Sequence, residues 1–173
     1  MVPVVSFVGN SGAGKTTILE KVVRELKGRG YRVGVIKHAH HDFAIDHPGK
    51  DSWRFTQAGS DAVIISSPAK IALVEARAAE PPLDELVAML EGRVDIILTE
   101  GFRHQGKPQV LVRRSAQNRN PSLDEWNPLA VVTDHRDLAG ELPCFSFDDV
   151  AALTDFLLAH LQVPPLPRAD QPQ

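Results

Sequence analysis

The sequence has little cysteine, no long apolar run and no excess of positive charge. Its one cysteine, Cys144, rules out an internal disulfide and a zinc site made of cysteines alone, and it fits a reducing compartment. No apolar run approaches the ~18 residues that would span a bilayer, and no cleavable hydrophobic segment precedes the first predicted strand. We therefore expect a soluble, cytoplasmic protein that does not associate with membranes.

Charge and length narrow the class of protein further. The formal net charge is −3 and the arginines are scattered singly or in pairs, so the sequence has no basic footprint for nucleic acid. A chain of 173 residues with 43% hydrophobic composition is long enough for one well-packed domain, which we predict over 1–163. The proline-rich, polar tail at 164–173 is expected to be disordered or loosely packed.

One glycine-rich stretch carries the strongest functional signal. It follows the apolar run Val4–Val8, precedes an amphipathic helix and has the pattern G-x-x-x-x-G-K-[ST], known as the Walker A motif or P-loop. We predict that a nucleoside triphosphate is bound by the nine residues Gly9, Asn10, Ser11, Gly12, Ala13, Gly14, Lys15, Thr16 and Thr17. The alternative, a strand-to-helix turn that binds nothing, is disfavoured because strand, loop and helix are all in place.

The remaining segments predict an α/β fold of the P-loop NTPase type. Apolar strands alternate with helices, which indicates a mainly parallel sheet with helices on both faces. Asp61–Ser66 and Lys70–Val74 are separated only by Ser67–Ala69, a spacing that predicts an antiparallel hairpin. Ligands in such folds bind beyond the carboxyl ends of the parallel strands.

An acidic residue is needed there to help hold Mg²⁺, and two flank the predicted strand Val94–Thr99. Asp95 and Glu100 are separated by about 16 Å in an extended chain, so only Glu100 can lie at the carboxyl end beside the loop. We predict a catalytic set in which Lys15 reaches the β- and γ-phosphates while Thr16 and Glu100 hold the metal. The alternative for Glu100 is an ordinary solvated carboxylate in a turn.

The sequence indicates less clearly which nucleotide base is bound. Thr133 and Asp134 follow the apolar strand Leu129–Val132, and a carboxylate there could accept from guanine N1–H and N2–H₂, a donor pair that adenine lacks. The fuller [NT]-K-x-D motif of most GTPases is absent, and a Thr-Asp turn or a cap is nearly as good an interpretation.

A histidine-rich segment follows the second predicted strand. His38, His40 and His41 with Asp42 could ligate Zn²⁺ or Ni²⁺, but we favour a polar loop that approaches the γ-phosphate or a partner. Its continuation, containing Lys50, Asp51 and Ser52, is included in this possible switch or partner loop.

Together these segments resemble the MobB family of molybdopterin-guanine dinucleotide biosynthesis adaptor proteins. The resemblance is carried by Gly9–Thr17, Ile36–Asp42, Pro48–Ser52, Leu98–Phe102 and Thr133–Asp134. It implies a homodimeric protein with GTP and Mg²⁺ as ligands, which hydrolyses GTP weakly and assists a separate nucleotidyltransferase in attaching GMP to molybdopterin. Molybdopterin or its guanine dinucleotide would be a further partner, and Arg103, Arg113 and Arg114 are basic groups without a predicted place.

Two other functions stay open on the sequence. A small-molecule kinase would use the same loop but usually needs an arginine-bearing lid, and no such segment is evident. A metal-delivery GTPase would use His38, His40 and His41 as ligands. Because no glutamine or arginine finger can be assigned, we expect intrinsic hydrolysis to be slow and the protein to act mainly as an adaptor.

Overall fold

The computed structural model describes residues 1–39, 43, 45–116 and 122–166. They form two compact units, the first made of Met1–His38 together with the chain from Leu83 onward and the second of Ala39–Pro82. The strands in chain order are β1 (Val4–Val8), β2 (Val33–Lys37), β3 (Ala62–Ser66), β4 (Ile71–Glu75), β5 (Ile96–Glu100), β6 (Gln109–Arg113), β7 (Ala130–Thr133) and β8 (Cys144–Phe145). The α-helices are α1 (Lys15–Gly28), α2 (Asp51–Gln57), α3 (Leu83–Leu90), α4 (Leu123–Trp126) and α5 (Val150–His160), and a 3₁₀ turn covers Arg136–Ala139.

The first unit is built on a six-stranded parallel sheet in the order β2-β5-β1-β6-β7-β8. Its central strands are apolar on both sides because helices cover both faces. Helices α1 and α5 pack on one face in a cluster that includes Phe7, Leu98 and Val112. On the other face, α3 packs against Ile97, and Trp126 of α4 packs against Leu111. The predicted fold class, with a mainly parallel sheet and helices on both faces, is confirmed.

In this unit, the bounds of one strand and the packing of one residue near the end of the chain differ from what the sequence predicts. The strand predicted over Val94–Thr99 runs instead from Ile96 to Glu100, because Asp95 is engaged with Arg32 at the amino end of the sheet. In the segment predicted as a tail, Leu166 packs against the core cluster of α1 and α5, while residues 167–173 lie outside the described part of the chain.

The second unit contains α2 and an antiparallel hairpin. Strands β3 and β4 pair from Ala62 opposite Glu75 to Ser66 opposite Ile71, with a turn closed by a hydrogen bond from Ser67 N–H to the Lys70 carbonyl at 2.9 Å. This confirms the predicted hairpin, which so short a connection, residues 67–70, requires.

Candidate functional site

The glycine-rich loop joins β1, in the middle of the parallel sheet, to the first turn of α1. Gly9 has φ +144°, and a Cβ there would lie 2.2 Å from the Val112 carbonyl oxygen of β6, so the chain passes this point only without a side chain. Gly14 has φ +96° and is the residue before the first helical residue, Lys15. The free N–H groups of the first turn of α1 therefore follow the loop directly, as anion binding at a helix N-terminus requires.

Lys15 folds back over this loop. Its Nζ donates hydrogen bonds to the carbonyl oxygens of Gly9 at 3.0 Å and Asn10 at 2.8 Å. Burial lowers the pKa of the ammonium group; Glu100 opposes this and Lys37 adds to it. The cation is thus held at the mouth of the loop, where it can exchange carbonyl oxygens for phosphate oxygens.

Thr16 and Glu100 meet across the sheet edge. The Thr16 hydroxyl donates to the Glu100 carboxylate, with Oγ1 lying 3.1 Å from Oε1 and 3.0 Å from Oε2. The Glu100 side chain is 15% exposed. A hydroxyl and a carboxylate are the hard oxygen donors that Mg²⁺ prefers, and Mg²⁺ commonly takes only one or two protein ligands beside phosphates and water. The donor set therefore fits a magnesium ion.

The two candidate acids lie at opposite ends of β5. Asp95, just before the strand, accepts hydrogen bonds from the Arg32 backbone N–H at 2.7 Å and from its guanidinium at 2.6 Å. Glu100 is the last residue of the strand and lies beside Thr16. The predicted separation of the two carboxylates along the strand is seen in the structure.

Lys37 was missed by the sequence reasoning. It ends β2, which pairs with β5 in a register that sets Lys37 opposite Glu100. Its Nζ lies 3.7 Å from Glu100 Oε2. The sequence did contain a signal for it, because a residue that ends a parallel strand reaches this edge of the sheet. The histidines that follow Lys37 were considered as site residues instead.

A cavity of about 340 Å³ opens beside this cluster in the first unit. Its lining combines apolar side chains of α1 and β2 with the charged groups just described, and consists of Thr16, Leu19, Glu20, Val23, Arg24, Val35, Lys37 and Glu100. The described residues of the loop region thus border a space large enough for part of a small-molecule ligand.

Asp134 and Thr133 lie at the same edge, after β7. Asp134 Oδ1 accepts the Ser115 backbone N–H at 2.8 Å, and this bond is the main cause that holds the pKa of the carboxyl below its usual range. Thr133 is buried, and its Oγ1 accepts the His135 N–H at 3.2 Å. Asp134 is consequently ionised and oriented by the chain after β6.

Arg103, Arg113 and Arg114, to which the sequence assigns no role, have different surroundings. The Arg114 guanidinium lies over the Phe147 ring, 4.1 Å from its centroid, and 3.9 Å from Asp134 Oδ2. Arg113 is buried and donates to the Leu138 carbonyl at 2.6 Å, and burial lowers the pKa of its guanidinium. Arg103 lies over the Trp126 ring at 4.9 Å. Arg114 thus forms an ion pair with a predicted site residue, Asp134, and Arg113 is paired with Thr133 through the register of β6 and β7.

The histidine-rich segment is described only in part. His38 packs against Phe102, with ring centroids 5.1 Å apart, and its N–H donates to the Glu100 carbonyl at 2.9 Å. His40, His41 and Asp42 lie outside the described residues. In the second unit, Lys50 precedes the helix that begins at Asp51, and the Ser52 hydroxyl donates to Asp46 Oδ1 at 2.8 Å.

The described part of the chain contains no cluster of His, Cys, Asp and Glu side chains of the kind that holds a metal ion. Among residues 1–39, 43, 45–116 and 122–166, no three His, Cys, Asp or Glu side chains gather in a group that could hold a metal ion. In the same ranges, no helix is both long enough and apolar enough to cross a bilayer. The metal hypothesis for the three histidines therefore stays a prediction.

A glycine-rich loop between a central parallel strand and a helix, followed by Lys and Thr, defines the class of P-loop nucleoside triphosphatase folds. Residues 4–134 match the model of the family described as molybdopterin guanine dinucleotide synthesis protein B. The chain belongs to this family, and so to molybdopterin guanine dinucleotide biosynthesis.

Individual relatives agree with the family match. The molybdopterin-guanine dinucleotide biosynthesis adapter protein of Haemophilus influenzae is 39% identical over 78% of this chain and 76% of that protein. The adapter protein of Escherichia coli is 35% identical over 94% of this chain and 95% of that protein. A crystal structure of molybdopterin-guanine biosynthesis protein B is similar with a TM-score of 0.73 and 29% identity, covering 91% of this chain and 99% of that one.

Proposed function

We propose that this protein binds GTP with Mg²⁺ at the glycine-rich loop, hydrolyses it slowly, and acts as a homodimeric adapter for the nucleotidyltransferase that attaches GMP to molybdopterin. The observation that carries the proposal is the contact of Thr16 Oγ1 with the Glu100 carboxylate at 3.0 Å, directly beside the folded-back Lys15. A hydroxyl, a partly buried ammonium group and a carboxylate are the groups that bind a magnesium-triphosphate, and a glycine-rich turn that binds nothing does not need them.

Each of these groups has a role in binding the triphosphate. Lys15 would leave the carbonyl oxygens of Gly9 and Asn10 for the β- and γ-phosphates. Thr16 and Glu100 would hold Mg²⁺, which when bound neutralises charge on the phosphate oxygens. Asp134, ionised and oriented by the Ser115 N–H, would accept from guanine N1–H and N2–H₂.

Slow turnover follows from the composition of the site. The described residues around Glu100 provide cations and a metal site, but we assign none of them to positioning an attacking water. A supplied arginine finger raises such rates by ~10³ to 10⁵, so we expect appreciable turnover only with a partner.

The adapter role is supported by family membership and by the polar segment from His38 to Ser52. This segment continues directly from β2, whose last residue, Lys37, lies 3.7 Å from Glu100. A ligand-dependent change at Glu100 could pass along the chain into the segment and so to the nucleotidyltransferase. We expect changes at Asp42 or Lys50 to disturb coupling to that enzyme more than GTP affinity.

The first test compares Lys15→Ala with Lys27→Ala, a lysine in the last turn of the same helix. Loss of a charged hydrogen-bond donor to phosphate should weaken Mg²⁺-GTP binding by about tenfold or more in Lys15→Ala, measured by calorimetry, and abolish hydrolysis. Lys27→Ala should match the wild type. Unchanged binding and turnover in Lys15→Ala would reject the nucleotide site.

The second test measures GTP hydrolysis and dinucleotide formation with the chain and a molybdopterin nucleotidyltransferase together. We expect slow turnover alone and more dinucleotide formed when the chain is added. Fast turnover alone, or no effect on dinucleotide formation, would reject the adapter role. Phosphate transfer to a small acceptor would favour a kinase, and Zn²⁺ or Ni²⁺ retained through purification would favour metal delivery.

A further inference from the structure

Arg114 and Phe147 form a stacked pair at the nucleotide edge of the sheet, and the roles above use neither. Arg114 follows β6 and Phe147 follows β8, the strands on either side of β7, which leads to Asp134. The loop that begins at Gly9 follows β1, the neighbour of β6 on its other side. The pair therefore lies among the carboxyl ends of adjacent parallel strands, where this fold binds ligands.

The pair lies close to both ends of the proposed nucleotide site, the glycine-rich loop and Asp134. The Arg114 guanidinium lies 4.1 Å from the centroid of the Phe147 ring and 3.9 Å from Asp134 Oδ2. A Cβ atom added to Gly14 would lie 2.9 Å from Phe147 Cε1 and 3.4 Å from Arg114 Nε, so both side chains are close to the glycine-rich loop. The pair thus spans from the phosphate loop to the carboxylate proposed to read the base.

The segment that carries Phe147 is fixed to α1. Lys21 Nζ donates to the Phe147 carbonyl at 2.7 Å and to Asp148 Oδ1 at 2.7 Å. The Ser146 N–H in turn donates to Asp149 Oδ2 at 2.8 Å. These bonds hold the backbone of the segment in place, and the Phe147 side chain packs against the core cluster of α1 and α5, so a ligand that contacts it has little conformational entropy to overcome.

We propose that this pair is the platform on which the purine base of the bound nucleotide stacks, with the base against the guanidinium of Arg114 and Phe147 behind it. The inference rests on the proposed function of the site. Hydrogen bonds to Asp134 lie in the plane of the base, so its faces need a different kind of partner. A planar guanidinium backed by an aromatic ring provides one, since arginine stacks on aromatic surfaces and bases stack on both groups.

The pair also accounts for a departure noted in the sequence. Val132-Thr133-Asp134 lacks the lysine of the [NT]-K-x-D motif. Arg114, 39% exposed in its side chain, brings a cation to the same carboxylate from the neighbouring strand instead. Because every base has a π-face, such a platform adds affinity without choosing between bases, and the choice is left to Asp134.

The test measures the affinities of GDP, ADP and inorganic pyrophosphate by calorimetry for wild type, Phe147→Leu, Phe147→Tyr and Arg114→Met. Pyrophosphate occupies the phosphate loop but has no base. Phe147→Leu and Arg114→Met should each bind GDP about tenfold more weakly, with the same GDP-to-ADP ratio and unchanged pyrophosphate affinity. Phe147→Tyr, which keeps the ring, should match the wild type.

A matched control is Phe145→Leu, which removes a ring two residues away that packs on Phe156 with centroids 5.5 Å apart. It should leave GDP affinity unchanged. The inference is overturned if Phe147→Leu and Arg114→Met bind GDP like the wild type, or if they lose pyrophosphate affinity in the same proportion. By contrast, a wild type that binds neither GDP nor pyrophosphate in a Lys15-dependent way would overturn the proposed function itself.

Discussion

Glu100 is the residue on which the proposed site depends most. Its carboxylate accepts a hydrogen bond from the Thr16 hydroxyl at 3.0 Å and lies 3.7 Å from Lys37 Nζ. Thr16 can bind a metal ion together with Glu100, whereas the Lys37 ammonium group competes with a metal ion for the carboxylate. Both neighbours follow from the sheet order, because β5 lies between β1 and β2. An acid at this position can therefore respond to the arrival of Mg²⁺.

We predict that Glu100→Gln lowers Mg²⁺-dependent GTP hydrolysis far more than Asp95→Asn does. The amide keeps the shape of Glu100 but loses the charge that attracts Mg²⁺, and loss of such a group near a metal commonly costs about 10- to 100-fold. Asp95 lies at the other end of β5 with Arg32, so its change should leave the rate within about twofold, as for residues outside the site. Steady-state hydrolysis across a Mg²⁺ titration gives the ranking, and the reverse order would show that the wrong carboxylate had been assigned.

The site residues differ in how far the sequence could predict them. Gly9 to Thr17 are consecutive, so a local pattern contains the whole loop, and Glu100 followed from counting residues along one strand. Arg114 and Phe147 are 33 positions apart in the sequence numbering and meet only because β6, β7 and β8 are neighbours. Strand order depends on long-range pairing, which no local pattern of residues encodes.

At the scale of elements, the amino ends of β2 and β5 are joined by Arg32 and Asp95. The Arg32 backbone N–H and guanidinium donate to the carboxylate at 2.7 and 2.6 Å, and the Asp95 N–H donates back to the Arg32 carbonyl at 2.8 Å. The hydrogen bonds from the Arg32 side chain are the largest cause that holds the pKa of Asp95 below its usual range. This pairing is at the opposite end of the sheet from Thr16 and Glu100 and serves stability.

We predict that the stabilisation by Asp95 disappears in acid. Because its folded-state pKa is lowered, the contribution is fully present above the ordinary Asp value of about 3.9 and is lost as pH falls through the folded-state value. The free energy of unfolding in urea, measured from pH 7 to pH 3, should thus show wild type more stable than Asp95→Asn at neutral pH, with the difference shrinking below about pH 4.

The control for this titration is Asp124→Asn, which changes an exposed carboxylate on α4. Its difference from the wild type should be small at neutral pH, as for an ordinary surface substitution. A difference between wild type and Asp95→Asn that stays constant to pH 3, or grows as the solution becomes more acidic, would contradict the assignment of the pair.

Secondary structure was predictable where one local cause dominates. The short turn between β3 and β4 acts within a few residues, and the hairpin was expected from it. The bounds of β5 were not, because its first residue is set by the contact of Asp95 with Arg32, 63 positions earlier in the chain.

At the scale of the whole molecule, the proposed homodimer needs a surface for a second copy, and the hairpin offers one. The register pairs Ile64 with Leu73 and Ser66 with Ile71, and side chains alternate along a strand, so Ile64, Ile71 and Leu73 share a face. They are 67%, 72% and 44% exposed. On the opposite face of the hairpin, Val63 is only 9% exposed and Ile65 is 44% exposed, so that face is covered in part.

Exposed apolar patches on paired strands commonly mark protein interfaces, and a charge placed in one is strongly disfavoured. We predict that Ile64→Lys with Leu73→Lys converts a dimer to a monomer in size-exclusion chromatography with light scattering. Met89→Lys, which places the same charge on an exposed apolar position of α3, should stay dimeric. The double variant should still bind Mg²⁺-GTP, because the proposed site residues from Gly9 to Thr17 and at Glu100 belong to the first unit. A wild type that is monomeric, or a double variant that stays dimeric, would show that the hairpin face has another role.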